Sequence, residues 1–270
     1  MDSPGPFRAS AVVRAGRGRS DVVRARGAGP LRLLTPRAAG RAAWLVTSSL
    51  GGGLVDGDEV ALDVDIEADA TSVITTQAST KAYRGRTGQE LRVRVEAGAA
   101  AIVVPDPLVP FADARVRQVT QIEVAASGSL VLADTVTAGR VAHGEWWSCE
   151  RIDTTLSLSR AGVSRLHDRV VLDRADGVIG DRMRRFAALS TLVVVGPAVA
   201  EHARALLADV ARSALRTDAP LVAAASSLDD DGVLVRIAGS AIELVLAEVR
   251  TRLGPACAAL GEDPWSRRWL

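Results

Sequence analysis

The stretch ITTQASTKAYRG, residues 74–85, sets Thr75, Thr76, Gln77, Ser79, Thr80, Lys81, Tyr83 and Arg84 directly after an apolar run. A lysine desolvated among hydroxyls can serve as a base or Schiff-base former, with a neighbouring Thr or Ser as nucleophile. A hydrolase or amidase built on Lys81 is therefore one reading of the segment. No paired acid is evident beside it, and no known Ser-x-x-Lys signature is present. The plainer reading is a polar strand end whose hydroxyls and amides satisfy backbone groups at a sheet boundary.

Two further stretches carry chemistry. In SSLGGGLVDGDEV, residues 48–60, Gly52 and Gly57 have the spacing of a phosphate-binding loop. Asp58 and Glu59, however, stand where the Lys and the hydroxyl belong, and two carboxylates repel phosphate. An alternating strand follows, not a helix whose N-terminus could hold pyrophosphate. The loop reads as a tight glycine turn whose three consecutive glycines permit close backbone approach. In RVAHGEWWSCE, residues 140–150, an extended backbone would put His143, Glu145, Trp147 and Cys149 on one face. That set offers imidazole, carboxylate and thiolate to an ion such as Ni²⁺. Spread over about 20 Å of strand, it makes a poor first shell, and a structural strand with a buried Cys is the stronger reading.

These residues must be positioned by elements that the hydrophobic pattern reveals. In DEVALDVDIEADA, Val60, Leu62, Val64 and Ile66 alternate with Ala61, Asp63, Asp65 and Glu67, as a half-buried strand requires. QELRVRVEAG repeats the pattern with Leu91, Val93 and Val95 inside and Arg92 and Arg94 outside. Many such runs, broken by Gly, Pro or Asp turns, predict a mainly β fold: a large body of stacked antiparallel sheets over residues 1–180. No repeat of fixed period is evident. Residues 181–270 predict a smaller β-α-β-β-α portion packed on that body as one structural unit. Its first helix starts at Pro197 and runs toward Arg216, with Val199, Ala203, Leu206 and Val210 inside. Its second has Ser240 as N-cap, Glu243 completing a capping box, and Ile242, Val245, Leu246, Val249 and Leu253 as its stripe.

With 33 basic and 32 acidic residues the formal net charge is +1, and no long single-sign block is present. Nucleic-acid and membrane partners are not expected. The longest apolar run is too short and broken to span a bilayer, and the basic N-terminal stretch lacks a signal peptide's apolar core. Cys149 and Cys257 lie outside any Cys-x-x-Cys spacing, which fits a reducing, cytoplasmic setting.

Taken together and in this order, GGGLVDGDEVALDV and ITTQASTKAYRG resemble the urease accessory protein UreD (UreH) family. The matched positions are Gly52, Gly53, Leu54, Val55, Gly57 and Asp58, then Thr75, Thr76, Gln77, Ala78, Thr80, Lys81, Tyr83 and Arg84. Gly139, Arg140, Gly144 and Glu145 resemble a further family region, whereas VVPDPLVPFADAR replaces the commoner central loop. The resemblance implies a mostly β, non-enzymatic maturation chaperone that binds apo-urease and the accessory proteins F and G, the latter a GTPase that brings nickel. It implies no tightly bound cofactor, with Ni²⁺ passing through an internal tunnel. Asp58, Thr76, Gln77, Lys81 and Glu145 are its candidate lining or buttressing residues, and Gly52, Gly53, Gly57, Thr80 and Arg84 are further candidates for partner contact or lining.

Overall fold

The computed structural model describes residues 5–37, 40–213, 216 and 218–266. The alternating segments all form strands. They are β1 (Phe7–Ala15), β2 (Ser20–Arg26), β3 (Leu31–Leu34), β4 (Ala43–Ser49), β5 (Glu59–Ile66), β6 (Thr71–Thr76) and β7 (Thr80–Ala82). There follow β8 (Gly85–Val95), β9 (Ala100–Val103), β10 (Leu108–Pro110), β11 (Ala114–Val124), β12 (Ser129–Thr137), β13 (Arg151–Arg160) and β14 (Val163–Asp173). A short helix α1 (Ile179–Met183) leads to β15 (Ala188–Val195), α2 (Ala200–Arg212), β16 (Leu221–Ser227), β17 (Gly232–Gly239) and α3 (Ile242–Ala259). Ala214 and Leu215, near the end of the periodic stretch that contains α2, lie outside the described residues.

Two sheets result. The first has the order β14-β13-β11-β8-β5-β1-β2, and the second runs β16-β17-β15-β12-β9-β6-β4-β3 with β7 and β10 appended. The mainly β class with a helical C-terminal portion holds, but the pairing is not the antiparallel stack expected. In the first sheet β1, β5, β8, β11 and β13 run parallel, and only the β1–β2 and β13–β14 pairs are antiparallel. In the second, β4, β6, β9 and β12 run parallel. Two-residue alternation reports which face of a strand is buried and says nothing of its neighbour's direction. Here the chain leaves one sheet, crosses to the other and returns, so successive strands of one sheet point the same way.

This winding has a period. Leu62 registers with Leu91 and Thr120, and Ile66 with Val95 and Val124. Across the other sheet Ala43 registers with Ser72, Ser72 with Ala101 and Ala101 with Leu130. Partners on neighbouring coils stand 29 residues apart, a repeat hidden because residue identity recurs at only some positions of the coil. On the outer face the repeat stacks charges: Arg94 donates to Asp65 at 2.8 Å and to Glu123 at 3.4 Å. At a coil corner Gly98 takes φ +69°, and any side chain there would collide with the Asp69 carboxylate.

The helices cover the outer face of the second sheet. Leu206 and Val210 of α2 and Val249 and Leu253 of α3 pack on Val73, Ile102, Val131 and Val194. Val199, Ala203, Leu206 and Val210 are buried as expected, but Leu246 is 38% exposed and does not belong to the α3 stripe. Ser240 does not cap α3: its N-cap is Ala241, with no side-chain cap bond. The chain's end returns to its beginning, where buried Glu262 accepts from the Ala42 amide at 2.8 Å and the Trp44 indole at 3.3 Å. No helix among the described residues is long and apolar enough to cross a membrane.

Candidate functional site

The space between the two sheets is layered. At the corner end it is filled by Val64, Ile66, Val95, Val124, Leu130 and Val195, and at the opposite end by Leu108, Val116, Trp147, Ile152 and Ile179. Between these layers polar side chains enter the inward rows: Thr47 of β4, Thr76 of β6, Gln89 of β8, Gln118 and Thr120 of β11, and Asp134 of β12 border a cavity of about 100 Å³ together with apolar residues such as Val60, Leu62, Leu91, Val103 and Leu132. A second cavity of about 260 Å³ continues toward the β14 and β16 edges, bordered by Asp134, Thr154, Leu172, Thr191 and Arg236. Because the coils share a register, Gln89, Gln118 and Thr154 align across β8, β11 and β13, while Val60 holds the same position on β5. This partial polar band runs perpendicular to the strands.

Asp134 is the residue common to the walls of both cavities. The Gln118 amide donates to both its carboxylate oxygens at 2.7 and 2.8 Å, and Gln89 donates in turn to the Gln118 carbonyl oxygen. The surface Asp134 retains borders the cavities, and protein surrounds it otherwise. Burial pushes its carboxyl above the ordinary value, opposed by the Gln118 hydrogen bond and reinforced by the charge of Asp168. At the far wall Arg236 is engaged with Asp168 at 2.6 Å. Thr76 donates to the Asp106 carboxylate at 3.2 Å and accepts from the Asp106 amide at 2.8 Å, fixing the end of β6 beside the first cavity.

The two sequence motifs meet at the same end. Leu54 bridges Ala82: its amide donates to the Lys81 carbonyl at 2.8 Å, and its carbonyl accepts from Tyr83 at 2.9 Å. A side chain at Gly53 would lie 2.6 Å from the Lys81 carbonyl oxygen and 2.7 Å from the Tyr83 ring, so this glycine is what lets the segments touch. Asp58 closes its own turn by accepting from Val55 at 2.9 Å. Gly52 and Gly57 sit at left-handed turns with open space beside them. Tyr83 packs edge-on against Phe111, whose ring lies 4.3 Å beneath the Arg140 guanidinium. Arg140 in turn clasps Glu145, which also accepts from the Ala112 amide at 3.3 Å. That pairing holds the Glu145 carboxyl below its usual range.

The structure therefore gathers Gly53, Asp58, Thr76, Thr80, Tyr83 and Glu145 around one end of the polar band. Thr76 and Thr80 border the first cavity, whereas Gln77, Lys81 and Arg84 are exposed beside it. The burial that activates a lysine nucleophile is missing at Lys81. Residues 140–150 are not a strand: Val141–His143 form a 3-10 turn with His143 exposed, so His143, Glu145 and Cys149 do not share an extended face. Cys149 is 1% exposed in the apolar layer below, and burial pushes its thiol up to about 11, away from the thiolate that binds metals. Among the described residues no group of three His, Cys, Asp or Glu is placed to hold a metal ion.

Gln89, Gln118, Asp134 and Asp106 were not among the residues singled out from sequence. Their signal is parity: Gln89 continues the inward row Leu91-Val93-Val95, and Asp134 the row Leu130-Leu132, so each is a polar residue at a core position.

Comparison with known proteins bears on this arrangement. Residues 7–269 match the model of the family described as UreD urease accessory protein. The chain is 42% identical to the "Urease accessory protein UreD" of Sorangium cellulosum, over 93% of this chain and 81% of that one. It is 41% identical to the protein of the same name from an Anaeromyxobacter species, over 94% and 90%. It is also similar to "Urease accessory protein D" of Arabidopsis thaliana, at 29% identity over 88% and 92%.

Proposed function

Because the chain belongs to the UreD urease accessory protein family and so has a role in urease maturation, we propose that it is a non-catalytic chaperone. It binds apo-urease together with the accessory proteins F and G in the cytoplasm, and it gives Ni²⁺ a sheltered route to the urease active site. The observation that carries this reading is the set of Gln, Thr and Asp side chains bordering two cavities between the sheets, with Asp134 in the wall of both. Hydroxyl, amide and carboxylate oxygens spaced along such cavities suit an ion in transit. A route must hold its ion weakly and at several points, because a tight cage would keep it.

The exposed rim formed by Gly52, Gly57, Gln77, Lys81 and Arg84, with half-exposed Leu50 and Val55 beside it, serves as the partner-binding face. Exposed apolar side chains next to cationic ones give a partner both an anchor and an orientation. The Tyr83–Phe111–Arg140–Glu145 cluster buttresses that rim from within.

The test is reconstituted urease activation. Co-purification of this protein with apo-urease and the F and G proteins, and loss of activation when Thr120→Trp fills the first cavity in a folded, complex-forming variant, are the expected results. Full activation through the filled variant would overturn the route, and failure to associate with apo-urease would overturn the chaperone role.

A further inference from the structure

The first sheet ends differently at its two sides. Beyond β2 the chain passes into β3 of the other sheet, with Ala28 and Leu31 bridged, and β2 carries Arg24 and Arg26, the charges that guard an edge. At the other side β14 pairs with β13 alone. Its first half is tied to the second sheet by Arg165–Asp229 at 3.0 Å and Asp168–Arg236 at 2.6 Å. Among the described residues no ion pair crosses between the sheets from Arg169–Asp173. There the edge is open. The Arg174 amide donates toward β13, to the Glu150 carbonyl at 2.9 Å, and backbone direction alternates along a strand. The N–H and C=O groups of Asp173, Val171 and Arg169 therefore point away from the sheet. Among the described residues only the Asp173 carbonyl of this set has a partner, the Arg182 guanidinium. Neither a proline nor a bulge interrupts the stretch.

The stretch is also its own complement. Laid antiparallel about a two-fold axis at Val171, a second copy sets Asp173 opposite Arg169, Arg169 opposite Asp173, and Val171 opposite itself. On the inward face Val170 meets Leu172, two side chains that border the second cavity. An axis at Arg169 or at Asp173 would oppose like charges, so Val171 is the position of this row that suits it. Arg169 donates to Asp153 through Nε and Nη2, which leaves Nη1 for a carboxylate across the axis. Each Asp173 oxygen accepts one bond, from Arg151 or from the Ala175 amide, and keeps a lone pair.

We propose that the open edge of β14 is a self-association surface, where two copies of this chain pair antiparallel through Arg169–Asp173 and join their first sheets into one. The two Val171 residues exchange both backbone bonds, and each Asp173 amide donates to the Arg169 carbonyl opposite. The Asp173 carbonyl keeps Arg182. One short strand per copy buries less than the ~1,200 Å² of a standard interface, so the dimer dissociates in the micromolar range.

The experiment is sedimentation of the full chain between about 1 and 100 µM, the range that brackets such a constant. Wild type is expected to pass from monomer to dimer. Val171→Pro removes an outward N–H that no internal bond uses, and should leave a folded monomer throughout. Arg169→Ala should weaken the dimer about fivefold, two charged pairs being lost. Position is read separately: Val171→Cys should cross-link between copies under mild oxidation, and Val163→Cys, at the far end of β14, should not. The native Cys149 and Cys257 are buried and do not compete. A wild type that stays monomeric overturns the proposal. So does a dimer that survives in folded Val171→Pro, or one that cross-links equally at both positions. If Val171→Pro does not fold, the two cysteine variants decide. A monomeric wild type whose Val171→Pro variant loses apo-urease or an accessory protein would give this edge to that partner and not to a second copy.

Discussion

Two neighbouring layers of this sandwich are built on the same strands and differ in almost everything else. On β12 the inward row reads Leu130, Leu132, Asp134, and on β11 it reads Val124, Ile122, Thr120, Gln118. One step of a strand's two-residue period separates an apolar inward residue, Leu132, from a carboxylate, Asp134. The difference shows how the winding sorts tasks: each coil places the same register position at the same depth, so a substitution pattern repeated every coil becomes a layer. Cohesion is assigned to one layer and polar side chains enter the next. Neither has to compromise the other's side chains.

That division can be broken on purpose. Leu132→Asp, putting into the apolar layer the group that the polar band carries one step away, is expected to cost more than ~4 kcal/mol, because its charge would lie buried without partners. Denaturant unfolding should show the variant largely unfolded. Leu130→Ala, at a side chain with no exposure, should cost about 2–5 kcal/mol through lost burial and a residual cavity, and leave urease activation intact at equal folded fraction. Stable folding of Leu132→Asp would erase the distinction between the layers.

The polar layer should respond in the opposite sense. The folded-state carboxyl of Asp134 lies above its ordinary value, so the folded protein binds its proton more tightly than the unfolded chain. The stability this supplies is complete below the ordinary carboxylate value of 3.8 and is lost as pH rises through the raised folded value. Asp134→Asn should flatten that decline and unfold at higher temperature than wild type at neutral pH, while losing activation. A wild-type and variant pair with parallel pH profiles would contradict the assignment. Asp153 on β13 gives the mirror case: Arg169 and Arg151 hold its carboxyl at about 2, so its contribution is present above the ordinary value and lost as pH falls toward 2. With both arginines partly exposed, Asp153→Asn should cost only about 1 kcal/mol at neutral pH. Smallest of all, Arg92→Ala on the outer charge ladder should stay within about 0.5 kcal/mol of wild type; a larger shift would mean that the ladder, and not the inward rows, sets the register.

Much of this organisation was legible beforehand. The inward and outward assignments of Val60–Glu67 and Leu91–Glu96 match the burial except at Ala61, which is fully buried, because alternation is a direct consequence of pleating. The α2 stripe was legible for the same kind of reason. Strand direction was not, since nothing local in QELRVRVEAG distinguishes a parallel neighbour from an antiparallel one. The coil period escaped because identity recurs only at scattered positions, as in Ala70 and Ala99, while Leu91 is followed 29 residues later by Thr120 and Ala99 by Gly128. Of the site, the Gly53–Lys81 contact was foreshadowed by the glycine run, whereas the Gln89–Gln118–Asp134 chain joins three strands distant in sequence. Only the winding brings it together.

The coil register also works as a ruler. Adjacent strands in a sheet stand about 4.8 Å apart, so each turn of the winding sets the polar band's span in steps of that size. A duplicated coil spliced between β6 and β8 would lengthen the band by one step without altering the side chains at either mouth, and a deleted coil would shorten it by one. The length of that interior row is thus a quantised property of the backbone, adjustable by gene duplication before any single residue has to change.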